Sequence, residues 1–322
     1  MNHPTTLHHM KLNKKIRALT MAFAIAAPCG IRAETTPGPF APPDLPVKSF
    51  EAGSLHVDHY GSGPKSLILI PGLSCGPWVW SATIAKFAPN YSIYAITLPG
   101  FSGHPALAEG PLFPKVQKDF WALLESQKID HPVLIGHSIG GTLSIVLAEE
   151  HSDRLSGVIA VDGLPIFPML ANAKAEQRKA AAAQMASSFT SLKHEELLAQ
   201  NEQYMKGVGT IHSELIKPSA ELESKSDPKA VAAWMKEDLE NDWRPDLAKV
   251  TVPLVEIMPY NAPDAVPPRA FTLEQTQGFY QMLLTGAPKA TVVPISPARH
   301  FAMLDQPDAF YKAVAAFLDS LK

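Results

Sequence analysis

Val133-Leu134-Ile135-Gly136-His137-Ser138-Ile139-Gly140-Gly141 places an unbroken apolar run directly before a Gly-x-Ser-x-Gly pattern, with a helical pattern directly after it. Residues 133–135 read as a short strand buried on both faces, and residues 140–150 as a helix. A chain that passes from strand to helix this abruptly must bend sharply at Ser138. The bend imposes unusual dihedrals on the serine and crowds the neighbouring backbones, so Gly136 and Gly140 stand where a side chain would collide. The serine hydroxyl is pushed out over the sheet edge. Free N–H groups and the positive dipole end of the helix beginning at Ile139 lie next to it.

Outward from this turn, short apolar runs at 67–70, 93–97, 158–161, 254–258 and 291–295 repeat the strand pattern. Residues 50–60 read as a hairpin around Ala52-Gly53, followed by the turn Gly61-Ser62-Gly63-Pro64. Helical patterns at 78–87, 116–126 and 308–321 alternate with the strands. The expected class is α/β: a mostly parallel sheet covered by helices on both faces, with the site at the carboxyl ends of its strands. From 164 to 244 the alternation stops and the pattern is helical, clearest at 180–183 and 234–239. This segment is expected to form a helical cap over a core made of 47–163 and 245–322. It carries Met169, Met185, Met205 and Met235, residues that could equally well only pack the cap against the sheet.

The amino terminus differs in composition. Lys11, Lys14, Lys15 and Arg17 precede an apolar run over 18–27, the order of a secretory signal and too short to span a bilayer. Cleavage after Ala33 is expected, with Met10 as a possible true start, so the protein is expected to be exported to the periplasm or secreted, with no stable membrane span once the signal is gone. Cys29 would leave with the signal, and Cys75, the only other cysteine, could then form no internal disulfide. Prolines 37, 39, 42, 43 and 46 make residues 34–46 an extended tether. With 46% hydrophobic and 18% charged residues over 322 positions, the chain has material for one large core. A formal net charge of -3 supplies no basic field to gather nucleic acid.

Three segments in order carry a resemblance: Ile70-Pro71-Gly72-Leu73, Gly136-His137-Ser138-Ile139-Gly140, and Ala298-Arg299-His300-Phe301-Ala302-Met303-Leu304-Asp305-Gln306-Pro307. From about Ser49 to Lys322 the chain resembles the α/β-hydrolase superfamily. The family's closing pattern is G-H-x-x-x-x-E-x-P, and here Arg299 precedes the histidine and Asp305 replaces the glutamate. Neither change touches the imidazole.

Ser138 is the candidate nucleophile, and a serine needs a base within hydrogen-bonding reach. His300 follows the last apolar run, on a loop that should face Ser138. Among the other histidines, His137 should point its ring away from the nucleophile, while His151, His194 and His212 sit in polar helical contexts. The backbone N–H of Ile139 is one expected oxyanion donor. The resemblance implies the N–H of Leu73 as the second. It usually places the triad acid a few residues after the seventh strand, where this sequence has Ala262, with Asp264 two residues on. Some relatives, the haloalkane dehalogenases among them, carry the acid at the end of the sixth strand, where this sequence has Asp162. Asp162 is the first choice and Asp264 the alternative.

These residues imply acyl transfer to Ser138 from a small-molecule substrate, most simply a carboxylic ester. No cofactor or metal is implied, since the histidines lack ligand spacing. Dehalogenases and epoxide hydrolases of this superfamily use aspartate where Ser138 stands, which argues against both. A lactonase or a carbon–carbon bond hydrolase would keep the same triad. A proline iminopeptidase would need cap acids for a free amine, and Glu195, Glu196, Glu202 and Glu214 are available. A non-catalytic ligand binder is the alternative of a different class.

Overall fold

The computed structural model describes residues 40–108, 110–266 and 270–321. The signal expected over 1–33, and the proline-rich stretch as far as residue 39, lie outside the described residues. In chain order the strands are β1 (Val47–Ala52), β2 (Leu55–Tyr60), β3 (Lys65–Ile70), β4 (Tyr91–Thr97), β5 (Val133–His137), β6 (Gly157–Val161), β7 (Leu254–Pro259) and β8 (Ala290–Ile295). They form one sheet in the order β1-β2-β4-β3-β5-β6-β7-β8. Strand β2 runs antiparallel to both its neighbours, and the remaining pairs are parallel.

Continuous apolar runs form these strands because both sheet faces are covered. Alternate residues divide between two cores. Leu67 and Leu69 of β3 share one with Ile84, Phe310, Val314 and Phe317, whereas Ile68 and Ile70 share the other with Phe120, Leu124, Leu143 and Leu147. Burying each such side chain contributes about 1.5–3 kcal/mol. The covering helices are α1 (Ser81–Phe87), α2 (Leu112–Gln127), α3 (Ile139–His151), α4 (Ala175–Ser187), α5 (His194–Tyr204), α6 (Ser213–Glu223), α7 (Pro228–Glu240), α8 (Leu273–Leu283), α9 (Ala302–Asp305) and α10 (Pro307–Ser320). Helices α1 and α10 carry the helical side chains quoted for the first core, and α2 and α3 those quoted for the second.

Four helices, α4 to α7, fill the segment between β6 and β7, with a π-helical turn, Met205–Gly209, after α5. Several contacts hold this segment on the core, three of them through α7 and the turn before it. Fully buried Trp234 of α7 donates its indole N–H to the Pro99 carbonyl at 3.1 Å. The Glu237 carboxylate accepts the N–H groups of Leu112 and Phe113 at 2.6 and 3.0 Å, placing negative charge at the positive end of α2. The Ser226 hydroxyl donates to the Ser74 carbonyl at 2.9 Å.

Two local expectations are corrected. The proline-rich segment is not wholly an extended tether, because Phe40 is buried with its ring 4.9 Å from that of Trp78, edge to face. An aromatic side chain gains more from this apolar site than from water. Helix α8 is absent from the sequence reading, although Thr272-Leu273-Glu274-Gln275 carries a capping-box signal. Thr272 Oγ1 accepts from the Gln275 N–H at 3.2 Å and Gln275 Oε1 from the Thr272 N–H at 2.8 Å.

Glu149 of α3 is buried, one carboxyl oxygen has no partner among the described residues, and burial followed by the nearby Asp246 pushes its carboxyl up to about 8. A raised carboxyl stabilises the fold fully only below its unfolded value; as pH climbs towards 8 the unfolded chain has released the proton while the folded one still holds it, so stability falls. The thermal midpoint is therefore expected to drop from about pH 4.5 to about pH 8 and to level off above that. Because Glu223, Asp238 and Glu256 are raised as well, Glu149→Gln should make that slope shallower without abolishing it in a scanning-fluorescence series, and an unchanged slope would contradict the raised Glu149 carboxyl.

Candidate active site

Between the end of β5 and the start of α3, Ser138 has φ 55° and ψ −125°, a strained conformation costing about 1–3 kcal/mol. The surroundings hold it there. Its N–H donates to the Val161 carbonyl at 2.9 Å, and its own carbonyl accepts from Gly141 and Thr142 at 2.7 and 3.0 Å. A Cβ on Gly140 would lie 2.4 Å from the Ile70 carbonyl oxygen and 2.5 Å from that of Pro71. Only glycine lets α3 start this close to the end of β3.

Across from the serine runs the loop after β3. A Cβ on Gly72 would stand 3.2 Å from Ser138 Cβ and 2.6 Å from His137 Nδ1, so the loop passes directly against the serine. Leu73 follows on the wall of the cavity that also holds Ser138 and Ile139. As the first residue of α3, Ile139 has a backbone N–H without an intrahelical acceptor.

His300 Nδ1 donates to Asp162 Oδ2 at 2.5 Å, which sets the tautomer and makes Nε2 the nitrogen left to accept. The structure brings Asp162 to the imidazole. Asp162 itself has φ 49°, and its N–H is anchored on the Ile257 carbonyl at 3.0 Å. Its second oxygen, Oδ1, accepts the Tyr280 hydroxyl at 2.5 Å. Sequence reasoning missed Tyr280 because it sits on the unassigned helix α8. Behind the pair, fully buried Glu256 of β7 accepts the Gly163 N–H at 3.3 Å. Burial and then the Asp162 charge push the Glu256 carboxyl well above its usual range.

Asp264 is not brought to the imidazole. Its carboxylate is held by Arg299 in two parallel bonds, Nε–Oδ2 and Nη2–Oδ1, both 2.7 Å, and this pairing lowers its pKa. Arg299 also donates through Nη1 to the carbonyls of Lys206 at 2.7 Å and Thr210 at 3.1 Å. Asp305 accepts the Arg299 N–H at 2.7 Å and the Thr210 hydroxyl. The two departures from the family pattern, Arg299 and Asp305, thus tie the His300 loop to the turn after α5. The N–H groups of His300 and Phe301 complete the tie at Val208 and Gly209, 3.1 and 2.9 Å away.

His137 is buried, its ring 4.6 Å from the His300 ring, and Nε2 donates to the His300 carbonyl at 3.1 Å. Burial, and then His300, holds its pKa well below the ordinary histidine value, so it is neutral and braces the loop. His194 and His212 bond to the carbonyls of Ser224 and Asp305, and the His151 ring packs edge-on against Trp121.

The cavity above Ser138 and His300 measures about 380 Å³. Helices α4 to α7 supply much of its wall, including Met185 and Met235, whereas Met205 is buried in the core and Met169 is exposed. None of Glu195, Glu196, Glu202 and Glu214 lines it; the cap acids that do are Glu223 and Asp238. Elsewhere, Glu51, His56 and His104 bring ligand atoms within 4.8 Å of one another, a grouping invisible to sequence spacing because β2 and the loop after β4 meet only in the fold. Among the described residues no helix is long and apolar enough to cross a membrane, and Cys75 is free and buried.

Residues 67–313 match the model of the alpha/beta hydrolase family. The chain is 24% identical to a pimeloyl-[acyl-carrier protein] methyl ester esterase of Pectobacterium atrosepticum over 82% of this chain and 98% of that protein. It is 32% identical to one of Aeromonas hydrophila, over 35% of this chain and 43% of that relative, less than half its length. Among solved structures, it is similar to an enol-lactonase from Burkholderia xenovorans, with TM-score 0.66 and 19% identity over 85% of this chain and 100% of the other. A thermophilic esterase from Thermogutta terrifontis gives 0.64 and 19% over 85% and 99%. With most of the sheet, the Ser138 turn and the His300 loop inside the matched segment, the chain belongs to the alpha/beta hydrolase family.

Proposed function

We propose that this protein is a serine hydrolase that cleaves carboxylic esters through an acyl-enzyme on Ser138, with His300 as base and Asp162 as the acid that orients it. The single observation that carries the reading is the 2.5 Å bond from His300 Nδ1 to Asp162, with His300 and Ser138 on the wall of one cavity. The relatives named as methyl ester esterases support an ester as the bond cleaved.

Ser138 Oγ attacks the carbonyl carbon as its proton passes to His300 Nε2. The carbonyl oxygen becomes an anion held by the N–H groups of Leu73 and Ile139, each contributing about 2.7–4 kcal/mol to the barrier reduction. The imidazolium gives its proton to the leaving alcohol, and water then repeats the cycle on the acyl-enzyme. Asp162 keeps the proton of the resting ring on Nδ1 and stabilises the charged one. Tyr280, bound to the other carboxylate oxygen, limits how that oxygen turns.

Ser138→Ala is expected to abolish ester turnover and labelling by a fluorophosphonate while leaving the fold intact. Hydrolysis within about tenfold of wild type on a p-nitrophenyl ester would overturn the assignment.

Asp162→Asn leaves the tautomer unset, and kcat is expected to fall about 10⁴-fold. Asp264→Asn breaks a partly exposed ion pair and should cost no more than about tenfold. Steady-state rates of the two purified variants decide the matter, and the reverse ranking would transfer the acid role to Asp264.

We further propose export, on the basic-then-apolar order of residues 11–27. Mass spectrometry of exported protein is expected to find a mature terminus near Glu34, and an intact Met1 or Met10 start would contradict this.

A further inference from the structure

Much of the cavity wall is apolar, with Leu73, Phe167, Phe189, Val231 and Leu239 as examples. Set into it are polar groups for which the acyl-transfer cycle has no use. Glu223, the last residue of α6, is only 3% exposed; its Oε2 has no partner among the described residues, and its Oε1 has only the weak Cys75 thiol at 3.8 Å. Asn201 of α5 is 7% exposed and its Nδ2 is equally unpartnered. Buried polar atoms are normally paired within the protein, and an exception in a cavity wall is what a ligand group would complete. The Cys75 contact sets Glu223 beside the loop that carries Leu73, so this polar set adjoins the reaction centre.

Charge restricts what can enter. Glu223, Asp238 and the nearby Asp162 are acidic, and among the described residues no Lys or Arg lines the cavity. Burial pushes Glu223 up to about 8 and Asp238 to about 7. A carboxylate entering this space would lose its water and find no cation. A hydroxyl could donate to Glu223 and accept from Asn201, and an ammonium would find a carboxyl able to ionise beside it.

We propose that Glu223, with Asn201 and Asp238, forms a recognition subsite beside Ser138 for a substrate moiety bearing a hydrogen-bond donor, a hydroxyl or a protonated amine, and rejects carboxylate-bearing substrates. This rests on the ester-hydrolase reading and narrows its substrate class.

The test compares esters of equal length whose far end is methyl, hydroxyl, ammonium or carboxylate. One series carries the group on the acyl chain of a p-nitrophenyl ester, the other on the alcohol of a butyrate ester. In at least one series kcat/KM for the hydroxyl or ammonium member should exceed that of the methyl member by at least about tenfold, with the carboxylate member lowest. Glu223→Leu should reduce the donor-to-methyl ratio by at least about tenfold. Glu223→Gln, the gentler change should the leucine variant not fold, should lose an ammonium preference and keep a hydroxyl one. A carboxylate member at the top of either series, no donor preference in wild type, or a ratio that neither Glu223 variant moves would overturn the subsite alone, provided wild type hydrolyses the methyl esters and takes the fluorophosphonate label. If it does neither, the hydrolase reading falls and the subsite with it.

Discussion

The carboxyl ends of β3, β5 and β6 converge where there is no room for a side chain, and the rest of the site hangs on that convergence. Ser138 can hold its strained dihedrals because its N–H is bonded to the end of β6 and its carbonyl caps the first turn of α3. Gly140 lets the helix start against the Ile70 and Pro71 carbonyls. Strain of this size persists only when the neighbours over-determine it. Here the neighbours are fully buried strands, among the last parts of such a molecule to open.

The proposed base is held by a second system. His300 lies on a loop, and loops are mobile unless tied. Its ties come from the chain on both sides of the cavity: Asp162 and Tyr280 from the core, His137 from the Ser138 turn, and Val208 and Gly209 from the turn after α5. Arg299 links the same turn to Asp264. The helices between β6 and β7 therefore both wall the cavity and fix the loop that carries His300. A substitution in the Met205–Gly209 turn could reach the imidazole through backbone bonds alone.

The acids around the site are graded by surroundings rather than by type. Asp264, beside a guanidinium, is pulled down, while Glu256 and Glu223, buried without a cation, are pushed up. The upward shift favours the uncharged form of Glu256, whose carboxyl braces the Asp162 turn through the Gly163 N–H. In the cavity, the same rule leaves Glu223 and Asp238 poised to respond to what is bound.

By itself the sequence determined the strand-turn-helix at Ser138, the both-face-buried strands and His300, because each is written in a contiguous run whose spacing obeys local sterics. It ranked Asp162 ahead of Asp264 but held no contact that would fix the choice. The choice depends on which of two loops, a hundred residues apart, Arg299 claims and which the imidazole faces. The partner of Asp264 was in plain view next to His300, yet nothing in a linear pattern says that the two meet. Tyr280, His137 and the acids Glu223 and Asp238 were decided only by tertiary structure, since their significance lies in burial and in neighbours supplied by distant segments. Exposure separates Glu223 from Glu214, nine residues earlier on the same helix, and exposure is a property of the folded surface.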